Sequence, residues 1–394
     1  MFLTSFLFVY RYDIKKKRNL KENAYFILFL LAVLVAGCRY VIGGDTVRYM
    51  RFWEYYPTFS EGPDIFSYVL FDPFWMLLNV CCKSICDDFI FFQFVHALLL
   101  NGILFYGVFK RLIYFKEHRF TIVLFYFIYF YLYFNTEILR ESLAIAFFLL
   151  GLPAFQKKQW LRYYIFAIIA FLFHSSAIIL FILPAFRYIP WNKFWVISIF
   201  ISVFVVFNYL EGVLSVFMMN PVIAQKMELY GDASMNFNGK IFRAIIYFVI
   251  PMCVIYVNDK KMRRTSSDFT VFYMAYTFVT SVSVGNTAIG GRFVNYMMPL
   301  VIAYYVFVLY NIYTSRYFYR IRKSVSFLFV MIPCIYFNMK YFKDTSDILY
   351  YSKYSFIWFP YTDIFHQDDS KQIEITDLRI DYVDKLMWSQ DLGN

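Results

Sequence analysis

Residues 24–41 read AYFILFLLAVLVAGCRYV: an uncharged apolar run ends in Gly37-Cys38 and meets Arg39. The whole stretch, at about 1.5 Å per helical residue, covers most of a hydrocarbon layer roughly 30 Å thick. The run is therefore read as a membrane-spanning helix. Comparable runs occupy 89–109, 119–135, 137–155, 194–217, 241–257, 268–285, 292–314 and 324–342. The whole chain agrees, with 61% hydrophobic and only 16% charged residues in 394 positions, against roughly 25% charged in soluble domains. The sequence thus predicts an all-α fold, a polytopic transmembrane helical bundle of about 10–12 membrane segments including re-entrant hairpins. Residues 1–342 are read as one membrane domain, and 343–394 as a polar tail outside the cytoplasm. The apolar run 1–10 is too short to span unaided, and the basic cluster follows it, which argues against a cleaved signal.

Two stretches set the topology. Residues 65–82 carry Asp72-Pro73 in mid-run, and 160–187 carry His174-Ser175-Ser176 at their centre. Reading both as re-entrant hairpins, broken where proline removes a donor or polar side chains answer freed backbone groups, puts the basic loops on one side. Those loops, near 11–21, 110–119, 157–162, 187–193, 260–264 and 316–323, hold more than half of the 38 lysines and arginines. The cytoplasmic side follows from that bias. The loops 42–64 and 218–240, the 286–291 turn and the tail then face outward.

The net charge of +11 punctuates apolar runs instead of lining a solvated domain, so no nucleic-acid partner is expected. Most of the six cysteines lie in or beside apolar runs. Cys82 and Cys86 have ligand-like spacing but no matching set, so no metal is expected. P-loop, HExxH and dinucleotide signatures are absent.

Against this background a few charges stand out on the outer side or within spans: Arg39, Arg48, Arg51, Arg140, Lys226, Lys240, Arg243 and Arg292. An intramembrane arginine costs at least about 2.5 kcal/mol on insertion scales and faces a cavity or partner. Snorkelling or a structural ion pair is the alternative for each. In CRYVIGGDTVRY, Gly43 and Gly44 permit a tight turn that could bring Asp45 back to Arg39, either as a structural clasp or as a reactive carboxylate. In NTEILRES, Glu137, Arg140 and Glu141 share a helical face. A third set pairs His174, a proton carrier or a helix-packing hydrogen bonder, with Gly290-Gly291-Arg292, read as a turn opening a helix. Asn295 and Tyr296 follow on that helix, on the face of Arg292.

At these positions the chain resembles the EpsG family of Wzy-type polysaccharide polymerases. RYVIGGDTVRYMRFW at 39–53 is similar to an Arg-x-x-x-Gly-x-Asp-x-x-x-Tyr loop, and LRESLAIAFFLL follows the family's Arg-Gln or Arg-Glu helix start. AFLFHSSAIILF at 170–181 resembles an Ala-x-x-x-His-x-Ser segment, and GGRFVNYMMPL at 291–301 resembles a late arginine-bearing helix start. The likeness runs across most of 24–342; Glu141 stands where glutamine is commoner. The resemblance implies a bacterial membrane glycosyltransferase that joins undecaprenyl-diphosphate-linked repeat units of capsule, exopolysaccharide or O-antigen at the outer face of the cytoplasmic membrane. It needs neither metal nor nucleotide cofactor, and a flippase and a chain-length regulator are its expected partners beside the bilayer and the lipid-linked glycan. Its chemistry calls for cations at the leaving diphosphate, read as Arg140 and Arg292, and a base, read as His174 with Asp45 or Glu141 behind it. Arg39, Arg48, Tyr49, Arg51, Arg243, Asn295 and Tyr296 are read as substrate-binding. A glycan or lipid transporter is the alternative, as is a ligase-like transferase; a transporter would show two related halves, and no internal repeat is seen.

Overall fold

The computed structural model describes residues 1–43, 45–61, 72–189, 192–209, 237–261, 270–285, 287–314 and 361–366, with isolated positions between 320 and 335. Among them every regular element is helical, as the apolar runs require. In lipid each backbone donor and acceptor must be answered within the chain, and a helix does this locally. Among the described residues four helices are long and apolar enough to cross a membrane: Phe89–Phe109, Leu139–Gln156, Asn238–Tyr256 and Gly290–Thr314; shorter apolar helices accompany them. The chain divides into two units, one of Met1–Leu150, Leu172–His174 and Phe327–Asn394, the other of Gly151–Phe171 and Ser175–Ser326.

The first unit begins with α1 (Phe2–Phe8), prolonged by a π-helical turn, Val9–Ile14. The short apolar run is thus helical beyond its predicted end. It lies along α6 (Arg119–Tyr129), where Tyr12 stacks on Phe120 at 4.9 Å and Asp13 accepts from the Thr121 amide and hydroxyl, both at 2.8 Å. Next come α2 (Lys21–Gly37), the outer helix α3 (Thr46–Tyr55), α4 (Pro73–Ile85) and α5 (Phe89–Gly102, continuing to Phe109 as a π-helix). Then follow α6 and α7 (Leu139–Gln156). Lipid tails are as apolar as leucine, so packing and hydrogen bonds must hold such helices together. Both are present: Trp75 of α4 meets Phe92 of α5 edge-on at 5.3 Å, and Tyr131 donates to the Ala32 carbonyl at 2.6 Å. Asn101, Tyr126 and Asn135 form a closed buried hydrogen-bond triangle. That triangle sits where the predicted 119–135 span departs from a plain helix, with α6 ending at Tyr129 and a π turn at Tyr133–Glu137.

The basic ends of this unit gather. Glu22 accepts from Arg119 and, at 2.8 Å, from Lys110. Burial, aided by Lys16 and Lys21, pushes the His118 imidazole down to about 4, so this end takes its positive charge from lysine and arginine. At the other end of α2, 361–366 docks on 38–40: Tyr40 N–H donates to the Thr362 carbonyl at 2.9 Å and Ile364 N–H to the Cys38 carbonyl at 3.1 Å. Residues 361–366 thus meet the end of α2 opposite to the one that carries Lys21 and Glu22.

Pro73 corrects one expectation. It does not kink a run in its middle; it occupies the first turn of α4, where its missing N–H is no loss, with Asp72 before it. The other arm of the predicted 65–82 hairpin falls on 62–71, outside the described residues.

In the second unit the 160–187 stretch does fold back. After α8 (Trp160–Phe173), a 3₁₀ turn at Ser175–Ile178 starts the return. Tyr163 donates to the Leu180 carbonyl at 2.8 Å, and Arg187 reaches the Phe155 carbonyl at 3.1 Å. The loops 157–162 and 187–193 therefore share one end, as the hairpin reading required. This unit also holds α9 (Lys193–Tyr209), α10 (Phe237–Lys261, with a π turn at Ile245–Val249), α11 (Thr270–Gly285) and α12 (Thr287–Thr314). Expectations for 210–236, including Lys226, for 262–269 and for most of 315–360 and 367–394 lie outside the described residues.

Candidate functional site

The outer site of the first unit is assembled from three sequence-distant pieces. Gly43 turns the chain at φ +103°, and a Cβ there would lie 2.6 Å from the Cβ of Thr136. Glycine is needed on both counts. Thr46 then donates to the Ile42 carbonyl at 2.6 Å and sits 3.3 Å from the Thr136 carbonyl. The Gly-Asp-Thr loop is thereby fastened to the turn that delivers Arg140.

Arg140 opens α7 and donates from Nη1 to Asp72 at 3.1 Å, with both side chains about a fifth exposed. The Tyr49 side chain hydrogen-bonds the same guanidinium, and Tyr49 packs its ring 5.3 Å from Trp75. Asp72 was read from sequence as a break; it is the counter-ion of Arg140. Its sequence signal was a carboxylate placed before proline inside an apolar run.

From α5, Gln93 donates to the Arg39 carbonyl, and His96 pairs with the Leu139 carbonyl at 3.0 Å. His96 is seven residues beyond Phe89, so about 10 Å along the helix axis. The Leu139 carbonyl, next to Arg140, is therefore met about two turns in from the Phe89 end of α5. Gln93 and His96, missed in the sequence reading, stand one turn apart in a helix whose other polar side chain is Asn101.

His174 is 5% exposed. Its neighbour Phe173 stacks on Phe147 at 5.2 Å and meets Phe74 edge-on at 5.6 Å. Phe74 lies in the first turn of α4 beside Asp72, and Phe147 lies two turns beyond Arg140. The His174 tip is thus seated on the two helices that carry the ion pair.

Other predicted residues are placed differently. Arg39 is buried and donates to the Ala36 carbonyl; the clasp to Asp45 is not made. Asp45 stands before α3, half-buried, its carbonyl accepting from the Tyr49 amide at 3.0 Å. Glu141 is buried and Arg51 is half-buried, whereas the Arg48 side chain lies outside the described residues.

Arg243, Arg292, Asn295 and Tyr296 belong to the second unit. Arg243 donates from Nε and Nη2 to the Ser283 hydroxyl, at 2.8 and 2.6 Å, which gives this outer arginine a structural bond. Gly290 and Gly291 are not a turn ahead of the helix, since α12 already begins at Thr287. Gly290 is small because α11 crosses there: a Cβ would fall 2.2 Å from the Ser283 Cα. Arg292 and Asn295 are half-buried, and Tyr296 is buried with its hydroxyl 3.1 Å from that of Ser176.

Comparison of the sequence with known proteins adds an independent finding. Residues 22–362 match the EpsG family, a family of Wzy-like polysaccharide polymerases. No curated protein and no solved structure matches the chain. The match covers α2 through the docked Thr362 and includes the loop, the ion pair and the His174 tip. The chain is a multi-pass, polysaccharide-polymerase-like membrane protein, and it belongs to the EpsG family.

Proposed function

We propose that this protein is a bacterial surface-polysaccharide polymerase that joins undecaprenyl-diphosphate-linked repeat units at the outer face of the cytoplasmic membrane. The observation that carries the reading is the Arg140–Asp72 pair, with the His174 tip seated on the same two helices. Glycosyl transfer from a lipid diphosphate develops negative charge on the leaving phosphate. A guanidinium already oriented by a carboxylate stabilises that charge without reorganising. Asp72 aims the fork and Tyr49 steadies it, so that the guanidinium presents its charge to the leaving phosphate.

His174 serves as the base that takes the proton of the acceptor hydroxyl, with Asp45 and Glu141 as the alternatives at the same end of the unit. Arg292 is the second cation proposed for the carrier diphosphate, and Arg243, bonded to Ser283, steadies α11, the helix against which Gly290 packs. Arg48, Arg51, Asn295 and Tyr296 are proposed as glycan contacts. A flippase supplies the lipid-linked repeats, and a chain-length regulator sets the product size. Capsule, exopolysaccharide and O-antigen all fit this chemistry.

Incubating purified protein with lipid-linked repeats and following glycan length tests the proposal. Polymer that disappears with Arg140→Ala at matched protein level supports the clamp. Near-normal polymer from both Arg140→Ala and Arg292→Ala overturns it. A deletion strain that accumulates single lipid-linked repeats supports polymerisation, whereas undelivered polymer would point to a ligase.

A further inference from the structure

Three side chains beneath the 361–366 segment keep hydrogen-bonding atoms that no described residue answers. Arg39 is 1% exposed; its Nη1 donates to the Ala36 carbonyl, while Nε and Nη2 meet no acceptor. Gln93 donates from Nε2 to the Arg39 carbonyl at 3.3 Å, and its Oε1 meets no donor. His96 directs Nε2 at the Leu139 carbonyl at 3.0 Å. A carbonyl only accepts, so in the neutral ring Nε2 holds the proton and Nδ1 is a lone pair, again unanswered. Gln93 and His96 share a face of α5, and Arg39 is close enough to act electrostatically on His96. Two open donors and two open acceptors are thus gathered at one place.

Buried groups left in this way are costly, and their types define what completes them. A phosphate oxygen would answer only the guanidinium and would set charge against two lone pairs. A hydroxyl accepts from the guanidinium and donates to Gln93 or His96. Vicinal hydroxyls of a sugar satisfy the whole set.

Among the described residues, Arg39 is covered by a short segment held by few bonds. Residues Arg39 and Asp363 form an isolated antiparallel bridge, flanked by the two backbone bonds at Tyr40 and Ile364. Thr362 donates to the Tyr40 carbonyl and Tyr361 to the Val35 carbonyl. Phe365 adds little to these, being 81% exposed, and Ile364 is half-buried. Such a segment can leave without disturbing a helix.

We propose that Arg39, Gln93 and His96 form a sugar-hydroxyl subsite and that residues 361–366 are its displaceable cover. The proposal rests on the polymerase reading and deepens it, by placing a glycan unit at the outer end of α2, near the Arg140 clamp.

The bridge register sets Cys38, a free thiol, opposite Ile364. Opposed antiparallel residues fall within disulfide reach, so Ile364→Cys lets oxidation lock the cover. Full-length protein in nanodiscs would be given three probes: oligosaccharide released from the host's surface polymer, undecaprenyl diphosphate without sugar, and inorganic phosphate. In the reducible variant, the oligosaccharide should speed amide exchange at Tyr40 and Ile364, and locking should weaken its binding about tenfold, reversed by dithiothreitol. Gln93→Met, which removes only the amide acceptor and donor, should weaken binding with the cover free. Equal oligosaccharide affinity in locked and reduced protein overturns the cover. Opening by phosphate or by undecaprenyl diphosphate alone overturns the hydroxyl assignment in favour of an anion, and unchanged affinity in Gln93→Met leaves the set as internal structure only. Exchange and binding need no turnover, so a protein that opens for saccharide yet makes no polymer refutes the polymerase reading and not this one.

Discussion

Gly43 lies against Thr136 with no room for a methyl group: an added Cβ would sit 2.6 Å from the Thr136 Cβ and 2.8 Å from its carbonyl oxygen. This contact ties the outer loop to the turn that presents Arg140, four residues on. Gly43→Ala adds both the clash and a strained positive φ, a cost on the order of 1–3 kcal/mol. Reduced thermal stability together with lower polymer yield is expected in detergent. Gly102→Ala provides the contrast, because no atom lies within 4 Å of its Cβ position. It should fold normally.

Asp72 aims Arg140, so Asp72→Asn keeps the shape and removes the counter-charge. Arg140→Lys keeps the charge and removes the fork. Each should lower single-turnover transfer from lipid-linked donor on the order of 10²-fold, the scale of losing one oriented charge stabiliser. Circular dichroism and melting would be compared to show an intact fold. Wild-type rates in Arg140→Lys would reduce the arginine to a point charge.

His174→Ala should lower turnover by roughly 10²–10⁴-fold while carrier binding persists. A base works unprotonated, so the wild-type rate should rise with pH through one ionisation, and that limb should vanish in the variant. An unchanged profile would assign the proton to Asp45 or Glu141 and leave His174 as packing.

Ser60 lies in an exposed 3₁₀ turn of the 42–64 loop, and Lys17 is exposed in the basic loop after α1. With the native cysteines replaced, an impermeant thiol reagent applied to intact cells should label Ser60→Cys and spare Lys17→Cys. The reverse pattern would invert the topology and move the Arg140 site to the cytoplasm.

Gly290→Ala should damage the second unit, since its methyl group would meet the Ser283 Cα and amide at 2.2 and 2.3 Å, backbone atoms that cannot swing aside. Lower membrane yield measured by fluorescence-detected chromatography is the expected result. Ser283→Ala should be milder. It removes the acceptor of Arg243 without crowding the helices.

The sequence by itself determined the membrane and the helices, and it set the expected sidedness. Those depend on the length of apolar runs and on where Lys and Arg fall, both local quantities that lipid and the charge bias read directly. It also marked Arg140, Gly43 and the break at His174, because a charge, a glycine or a polar triplet is conspicuous in an apolar background. Only the tertiary structure decided their partners. Asp72 meets Arg140 across 68 residues, Thr136 meets Gly43 across most of a hundred, and Arg39 turns to its own helix and away from Asp45. Gly290 likewise looked like a turn, whereas it serves a crossing with Ser283. Pairings of this kind are set by how helices stack and how closely their backbones approach, and no pattern along one chain carries that information.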